Sequence, residues 1–398
     1  MRLRNTETNA VQPLEPAGRP IGIYVCGITP YDTTHLGHAF TYVVFDVLVR
    51  ALRAAGHAVR YVQNVTDVDD DIIRRARELG TTWDRLAAKE TALYEADMAD
   101  LNVRAPDVFP KVSQTIPKII ALARTLEAQG HAYQRGGNVY FRVGSVTDYG
   151  RLSRLSRDQM IKLSAERGAD PNDPRKQDPL DFLLWQESAP DEPHWSSPWG
   201  EGRPGWHIEC SAMALANLGP QVDVHGGGSD LIYPHHESEI AQSESVTGVR
   251  PFARIWAHVG MLRYHGDKMS KSLHNLVLVR DLLSRYDGDS IRVLVLRHHY
   301  RESWEYTPEQ LDDADAWTGR LRDSARGSRP ATGDPSAVRA ALDDDLDTPR
   351  ALQLLEESIR RGEGDWRAAA DVLGLRLGAD RLPAPETKKA LGWRAPFS

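Results

Sequence analysis

The sequence has few cysteines, no long apolar run, no internal repeat, no low-complexity tract and no large excess of either charge. Two cysteines, Cys26 and Cys210, are too few for a disulfide-stapled secreted scaffold, and they suit a reducing, cytoplasmic compartment. The most apolar stretch, Tyr42 to Ala55, is broken by Asp46, Arg50 and Arg53 and cannot span a bilayer. The opening residues MRLRNTETNAVQ lack the apolar core of a secretory signal, so no membrane partner is expected. Basic residues number 49 against 56 acidic ones, so a polyanion must meet a local basic patch and not the surface as a whole. At 398 residues the chain has room for two or three domains with their own cores.

What is present begins with a short β-rich run, IGIYVC (21–26), followed by the turn-rich GITPYDTTHLGH. In the next piece Tyr42, Phe45, Val49 and Leu52 recur at helical spacing, and Gly56 supplies a stop. AVRYVQNV (58–65) reads as a second strand. Strand, loop, helix, strand opens a parallel α/β sheet, in which ligands bind beyond the carboxyl ends of the strands. The loop from Gly27 to His38 stands at such an end. WDRLAAKETALYEADMADL and QTIPKIIALARTLEAQG read as amphipathic helices and NVYFRV (138–143) as a strand, whereas 168–205, rich in Pro, Asp, Gly and Trp, reads as irregular loop. A helix from about Trp206, a strand QVDVHG (221–226), a helix from about His235 and a strand near RIWAHVGM (254–261) resume the α/β pattern. Beyond about residue 285 everything reads as helix, with Thr348 as an N-cap and Pro349 at the first helical position.

Four segments carry groups suited to chemistry. HGGGSDLIYPHHESE (225–239) places three glycines after a strand, where backbone approaches a flat ligand closely, and Asp230 is poised to accept hydrogen bonds from a ribose. A glycine triplet alone reads more simply as a tight turn. His35, Leu36, Gly37 and His38 stand where the first loop becomes a helix, and two imidazoles at a helix N-terminus make an anion site or, equally, capping chemistry. KMSKS (268–272) offers two ammonium groups on a polar loop, suited to the β and γ phosphates of ATP; a solvated basic loop is the plainer alternative. Cys26, Cys210, His235 and Glu239 are residue types that bind zinc, and the last two share a helix face. Their remoteness in sequence makes that set weak by itself, since each cysteine taken singly reads more readily as a small buried hydrophobe and His235 as a satisfied loop histidine.

Joint occurrence decides between these alternatives. HLGH near the first strand and KMSKS much later, inside a parallel α/β pattern, resemble the two signatures of class I aminoacyl-tRNA synthetases. YVCGITPYDTTHLGHA, YVQNVTDVDD, SPWGEGRPGWHIECSAM, HGGGSDLIYPHHESEIAQSE, GMLRYHGDKMSKS and LDDDLDTPRA narrow the resemblance to the cysteinyl-tRNA synthetases and their paralogue group, the mycothiol cysteine ligases. The resemblance covers residues 1 to about 375. It implies a Rossmann-type doubly wound parallel sheet built from residues 1–80 and 205–285, with 81–204 inserted, a helical bundle at 286–375 and a short tail at 376–398. It further implies activation of L-cysteine by ATP, with Mg2+, to cysteinyl-adenylate. Carried over by position, Cys26, Cys210, His235 and Glu239 would hold one zinc ion; Gly27, Thr29, Thr66 and Trp206 would hold the cysteine. His35 and His38 would engage the ATP phosphates, Gly227 and Asp230 the adenosine, and Lys268 and Lys271 the leaving pyrophosphate.

The two groups differ in what attacks the adenylate. The stretch DQMIKLSAERGADPNDPRKQDPLD and HHYRESWEY are more similar to the mycothiol ligases, and no anticodon-binding domain is expected after DVLGL (371–375). HHESEIAQSE and HIECSAM read more like the synthetases, and His274 stands where both groups normally have Gly. The first expectation is therefore transfer of cysteine to the amine of glucosaminyl-inositol. Charging of tRNA is the second, and a non-catalytic cysteine- or adenylate-binding paralogue the third.

Overall fold

Four parallel strands carry the molecule's central sheet: β1 (Ile21–Ile28), β2 (Val59–Val65), β3 (Val222–Gly228) and β4 (Ala253–Val259), in the spatial order β4-β3-β1-β2. This computed structural model describes residues 1–16, 18–31, 34–269, 275–327, 336–362 and 365–377. β1 reads as a nearly unbroken apolar run because both of its faces are covered. Its side chains alternate between two cores. Ile23 and Val25 join the cluster that includes Phe40, Val43 and Val47 of α1 (Leu36–Ala54). Tyr24 and Cys26 point the other way, into the cluster of Ile208 and Met213 from α2 (Trp206–Leu218) and Ile240 from α3 (Glu237–Thr247). The sheet is thus doubly wound, and the strand order reverses direction between β1 and β3, the point at which such sheets open a crevice.

Between β2 and α2 lie the helices Asp70–Glu78, Trp83–Asp100 and Ile116–Ala128 and a five-stranded antiparallel sheet. Three strands of that sheet, Phe182–Glu187, Trp195–Ser197 and Gly200–Pro204, fall within 168–205, which the sequence suggests is irregular. The composition misleads there because the last two strands form a short hairpin containing Gly and Pro, while the apolar signal is confined to FLLW at its partner. A second correction concerns the C-terminal part. Trp304–Glu305 is a short strand beside Leu262–Tyr264, so the region after residue 285 is not wholly helical.

The helix Thr348–Arg361 is capped one residue earlier than its sequence suggests. Asp347 is the N-cap, and its side chain accepts from the Arg350 N–H at 3.0 Å. Thr348 is then the first helical residue, because the carboxylate is the better acceptor for a free helical N–H. Asp347→Ala is expected to lower stability by about 1 kcal/mol in chemical denaturation, whereas Asp347→Asn should be nearly neutral.

Candidate active site

At the reversal point a cleft of about 690 Å³ opens beyond the carboxyl ends of the strands. Cys26, Gly27, Thr29, His35, His38, Thr66, Trp206, Cys210, Asp230 and His235 all line it, so residues far apart in sequence meet in one place. Gly27 explains how β1 delivers Cys26. The β1–β2 register slips between Val25 and Ile28, and a Cβ on Gly27 would fall 1.6 Å from the Asn64 carbonyl oxygen. Only glycine lets the two backbones close so tightly, and the Gly27 N–H donates to Asn64 Oδ1 at 2.8 Å.

His35 is the N-cap of α1, its Nδ1 accepting from the Gly37 N–H at 3.1 Å. Its ring stacks on that of His38 at 3.8 Å between centroids. No acidic residue occupies the first turn, so the positive end of the helix faces the cleft uncompensated. The segment following KMSKS is tied to this loop: Leu36 N–H donates to the Val277 carbonyl at 2.8 Å and Val279 N–H to the Thr34 carbonyl at 2.9 Å. Lys271 and His274 lie outside the described residues, and Lys268 is described as backbone, in the strand Asp267–Lys268. Gly227 is not among the cleft-lining residues; its neighbour Gly228 is, while a Cβ on Gly227 would meet Leu231 Cδ1 at 2.8 Å.

The floor of the cleft gathers metal-ligand chemistry. Cys26, Cys210, His235 and Glu239 present one ligand atom each, all within 4.8 Å of one another and all buried. A tetrahedral ion with sulfur at about 2.3 Å and nitrogen or oxygen at about 2.0–2.1 Å requires ligand separations of about 3.8, 3.5 and 3.3 Å for sulfur–sulfur, sulfur–oxygen and nitrogen–oxygen pairs. The observed Cys26–Cys210 Sγ separation is 3.8 Å, Cys26 Sγ to Glu239 Oε1 is 3.6 Å, and His235 Nε2 to Glu239 Oε1 is 3.2 Å. The residues fit such an ion. Burial pushes the Cys26 thiol and the Glu239 carboxyl well up and holds His235 well below its ordinary range. These three donors are thereby kept uncharged, and a divalent cation is the charge that would draw thiol and carboxyl into ligating form.

A second set, Cys26, His225, His236 and Glu239, also meets the same criterion and has no counterpart in the sequence-based expectations. His225 Nε2 lies 3.0 Å from Glu239 Oε2, and His236 Nε2 lies 3.3 Å from Cys26 Sγ. His236 Nδ1 continues to His258 Nε2 at 2.8 Å, and His258 Nδ1 to Thr6 Oγ1 at 2.6 Å. Neither His225 nor His236 lines the cleft. With an ion on the first set, these imidazoles stand where outer partners would orient its ligands. His207 serves His235 likewise, with the two Nδ1 atoms 3.0 Å apart. With an ion on His235 Nε2, its Nδ1 would carry the proton and His207 Nδ1 would accept it. The adjacent HH pair at 235–236 was the available sequence signal, but only the fold tells which imidazole faces inward.

A family model described as the catalytic domain of class I tRNA synthetases (C) matches residues 11–316. The chain is 51% identical over 338 residues to the L-cysteine:1D-myo-inositol 2-amino-2-deoxy-alpha-D-glucopyranoside ligase of Acidothermus cellulolyticus, covering 84% of each. It is 47% identical to the protein of that name from Mycolicibacterium smegmatis, over 96% of this chain and 95% of that one. Among solved structures it is similar in fold to Mycobacterium tuberculosis methionyl-tRNA synthetase bound by methionyl-adenylate, with a TM-score of 0.63 at 16% identity over 89% of this chain and 90% of that chain. No helix among the described residues is long and apolar enough to cross a membrane. With the family model spanning most of its length, the chain belongs to the class I tRNA synthetase (C) catalytic-domain family.

Proposed function

We propose that this protein activates L-cysteine with ATP to cysteinyl-adenylate and passes the cysteinyl group to the amine of glucosaminyl-inositol, releasing pyrophosphate and AMP. The observation that carries the reading is the lining of one cleft by a thiol, imidazole and carboxyl floor, a histidine-bearing helix N-terminus and a glycine-rich strand end. Relatives at 44–51% identity over most of both chains bear the name of an L-cysteine ligase acting on an amino-sugar inositol, which favours that acceptor over tRNA.

In this reading residues 1–80 and 205–285 are the two catalytic halves. Gly27, Thr29, Thr66 and Trp206 hold the amino acid. The Trp206 ring stacks on His235 at 4.4 Å between centroids and walls the pocket on that side. Cys26, Cys210, His235 and Glu239 would hold zinc, whose soft Lewis acidity favours a thiolate over serine's harder, more basic hydroxyl. His35 and His38, at the positive end of the α1 dipole, hold the ATP phosphates and stabilise charge that grows as pyrophosphate leaves; Lys268 and Lys271 supply the ammonium groups for that leaving group. One preorganised donor of this kind is worth about 3 kcal/mol. Gly228 lets the nucleoside lie against the end of β3, and Asp230 accepts from its ribose.

Zinc-loaded protein should catalyse cysteine-dependent, serine-independent exchange of pyrophosphate into ATP. Offered glucosaminyl-inositol and cysteine tRNA in parallel with mass detection, it should form the amide of the amino sugar. No exchange would leave only the non-catalytic reading standing, and charging of tRNA alone would make the chain a synthetase.

A further inference from the structure

Forming an amide from an adenylate needs more than an electrophile. A sugar amine arrives largely as an ammonium ion, and the nitrogen that attacks must lose a proton. His225 and His258 are buried, His207 is half-buried and none of the three lines the cleft, while His35 and His38 belong to the phosphate end. The carboxylates lining the cleft are Asp69, Asp70, Asp71 and Asp230. Three of these are ion-paired: Asp70 with Arg203, Asp71 with Arg74, and Asp230 with Arg167 at 3.7 Å. Asp69 is the one without an ion pair among the described residues. It caps the helix Asp70–Glu78 through Oδ1, which accepts from the Asp71 N–H at 2.8 Å, and Oδ2 has no hydrogen bond among the described residues.

Its position suits a second substrate. The floor of the cleft, at Cys26 and Cys210, is buried, whereas Asp70 and Arg74 at its rim are exposed. Asp69 lines the same cleft and is half-buried, next in sequence to the exposed Asp70 and three residues beyond the buried Thr66. Thr66 Oγ1 in turn donates to Glu209 Oε2 at 3.3 Å, and Glu209 is close enough to Asp69 to feel its charge. An acceptor entering this cleft from solvent meets a wall that carries this carboxylate.

We propose that Asp69 is the general base of the transfer step, taking the proton from the acceptor's attacking amine. The inference rests on the functional reading above. The amine lone pair forms the N–C bond at the cysteinyl carbonyl carbon, the bond from that carbon to the phosphate oxygen breaks, and AMP departs with its electron pair. One proton of the arriving ammonium has by then passed to Asp69 and on to solvent, which freed the lone pair, and the second leaves the nitrogen to solvent as the amide forms. Burial, together with the charges of Asp71 and Asp70, lifts this carboxyl to about 6, against which the Asp71 N–H and Arg203 pull down. A base with that value is ionised at neutral pH and still basic enough to share a proton with an amine.

Asp69→Asn separates base from cap, because Asn caps a helix as well as Asp does. The variant should lose amino-sugar transfer relative to pyrophosphate exchange by about 10²–10⁴-fold. Wild-type transfer should fall as pH drops below about 6, and the variant should lack that limb, its rate climbing steadily with the fraction of free amine. With hydroxylamine, already unprotonated near neutrality, the deficit should largely vanish. Unimpaired transfer in the variant overturns this inference alone, as does equal loss of exchange and transfer or an undiminished deficit with hydroxylamine. Absence of exchange in the unaltered protein overturns the functional reading and this inference with it.

Discussion

Cys210→Ser is expected to release the bound metal and abolish cysteine-dependent pyrophosphate exchange together, while leaving the fold intact. The substitution is nearly isosteric and sits on α2 beside Asn64 Oδ1, 3.6 Å away, where a hydroxyl packs as a thiol does. A neutral hydroxyl is a poor ligand for a borderline-soft ion. Loss of an outer partner commonly costs about 10–100-fold in metal affinity, and loss of a direct ligand should exceed that. Cys210 has a further use, because it belongs to one of the two candidate sets and not to the other. If an ion sat instead on Cys26, His225, His236 and Glu239, Cys210→Ser would retain it and His236→Gln would release it. Zinc content measured on both purified variants, beside exchange, distinguishes the arrangements. Full exchange by zinc-free Cys210→Ser protein would remove the metal from the reaction altogether.

The parts of the site that could be read in the chain are those written into contiguous segments. Phe45, Val49 and Leu52 mark the buried face of α1, and HLGH sits where that helix begins. Of the donors Cys26, Cys210, His235 and Glu239, only the last two had a local spacing; the set meets because β1 stands next to β3 and because α2 and α3 pack on the same face of the sheet. Three-dimensional placement also reassigned roles within segments. Gly228, one residue beyond the glycine singled out in sequence, reaches the cleft, and the hairpin within 168–205 stayed hidden because its strands are short and interrupted by Gly and Pro. Asp69 was invisible for a different reason. In YVQNVTDVDDD (61–71) nothing separates it from Asp67, Asp70 or Asp71, yet Asp67 binds Ser113, Asp70 and Asp71 find arginines, and Asp69 keeps a partly free carboxylate. Ionisation depends on neighbours that the fold supplies.

Those neighbours matter most where charge is fully buried, and breaking the ion pair between Arg292 and Asp46 is expected to destabilise the fold severely. Arg292 is completely buried, and its guanidinium joins three stretches of chain. Nη2 pairs with Asp46 Oδ2 of α1 at 2.7 Å, Nη1 donates to the Leu101 carbonyl at 3.1 Å, and Nε and Nη2 donate to the Leu373 carbonyl at 3.1 and 2.8 Å. Asp46 also accepts from Arg50 Nε at 2.8 Å and, through Oδ1, from the Arg104 N–H at 3.0 Å. Arg50 reaches on to the Asn102 carbonyl at 2.7 Å and the Asp371 carbonyl at 3.0 Å. The helix that presents His35 and His38 is thereby locked to the segments at 101–104 and 371–373. Close packing seals the junction, since a Cβ on Gly374 would lie 2.1 Å from Arg292 Nη2. Breaking a buried ion pair by removing one partner typically costs about 3–5 kcal/mol. Arg292→Met should therefore lower the melting temperature by about 5 °C in a chain of this size. Asp46→Ala should be worse, because it strands two buried guanidinium groups and one backbone N–H where Arg292→Met strands only carbonyls and leaves Asp46 its Arg50 partner. Urea unfolding of the two variants tests the order, and an Arg292→Met protein within about 1 kcal/mol of the parent would show that ordered water or rearrangement replaces the network at little cost.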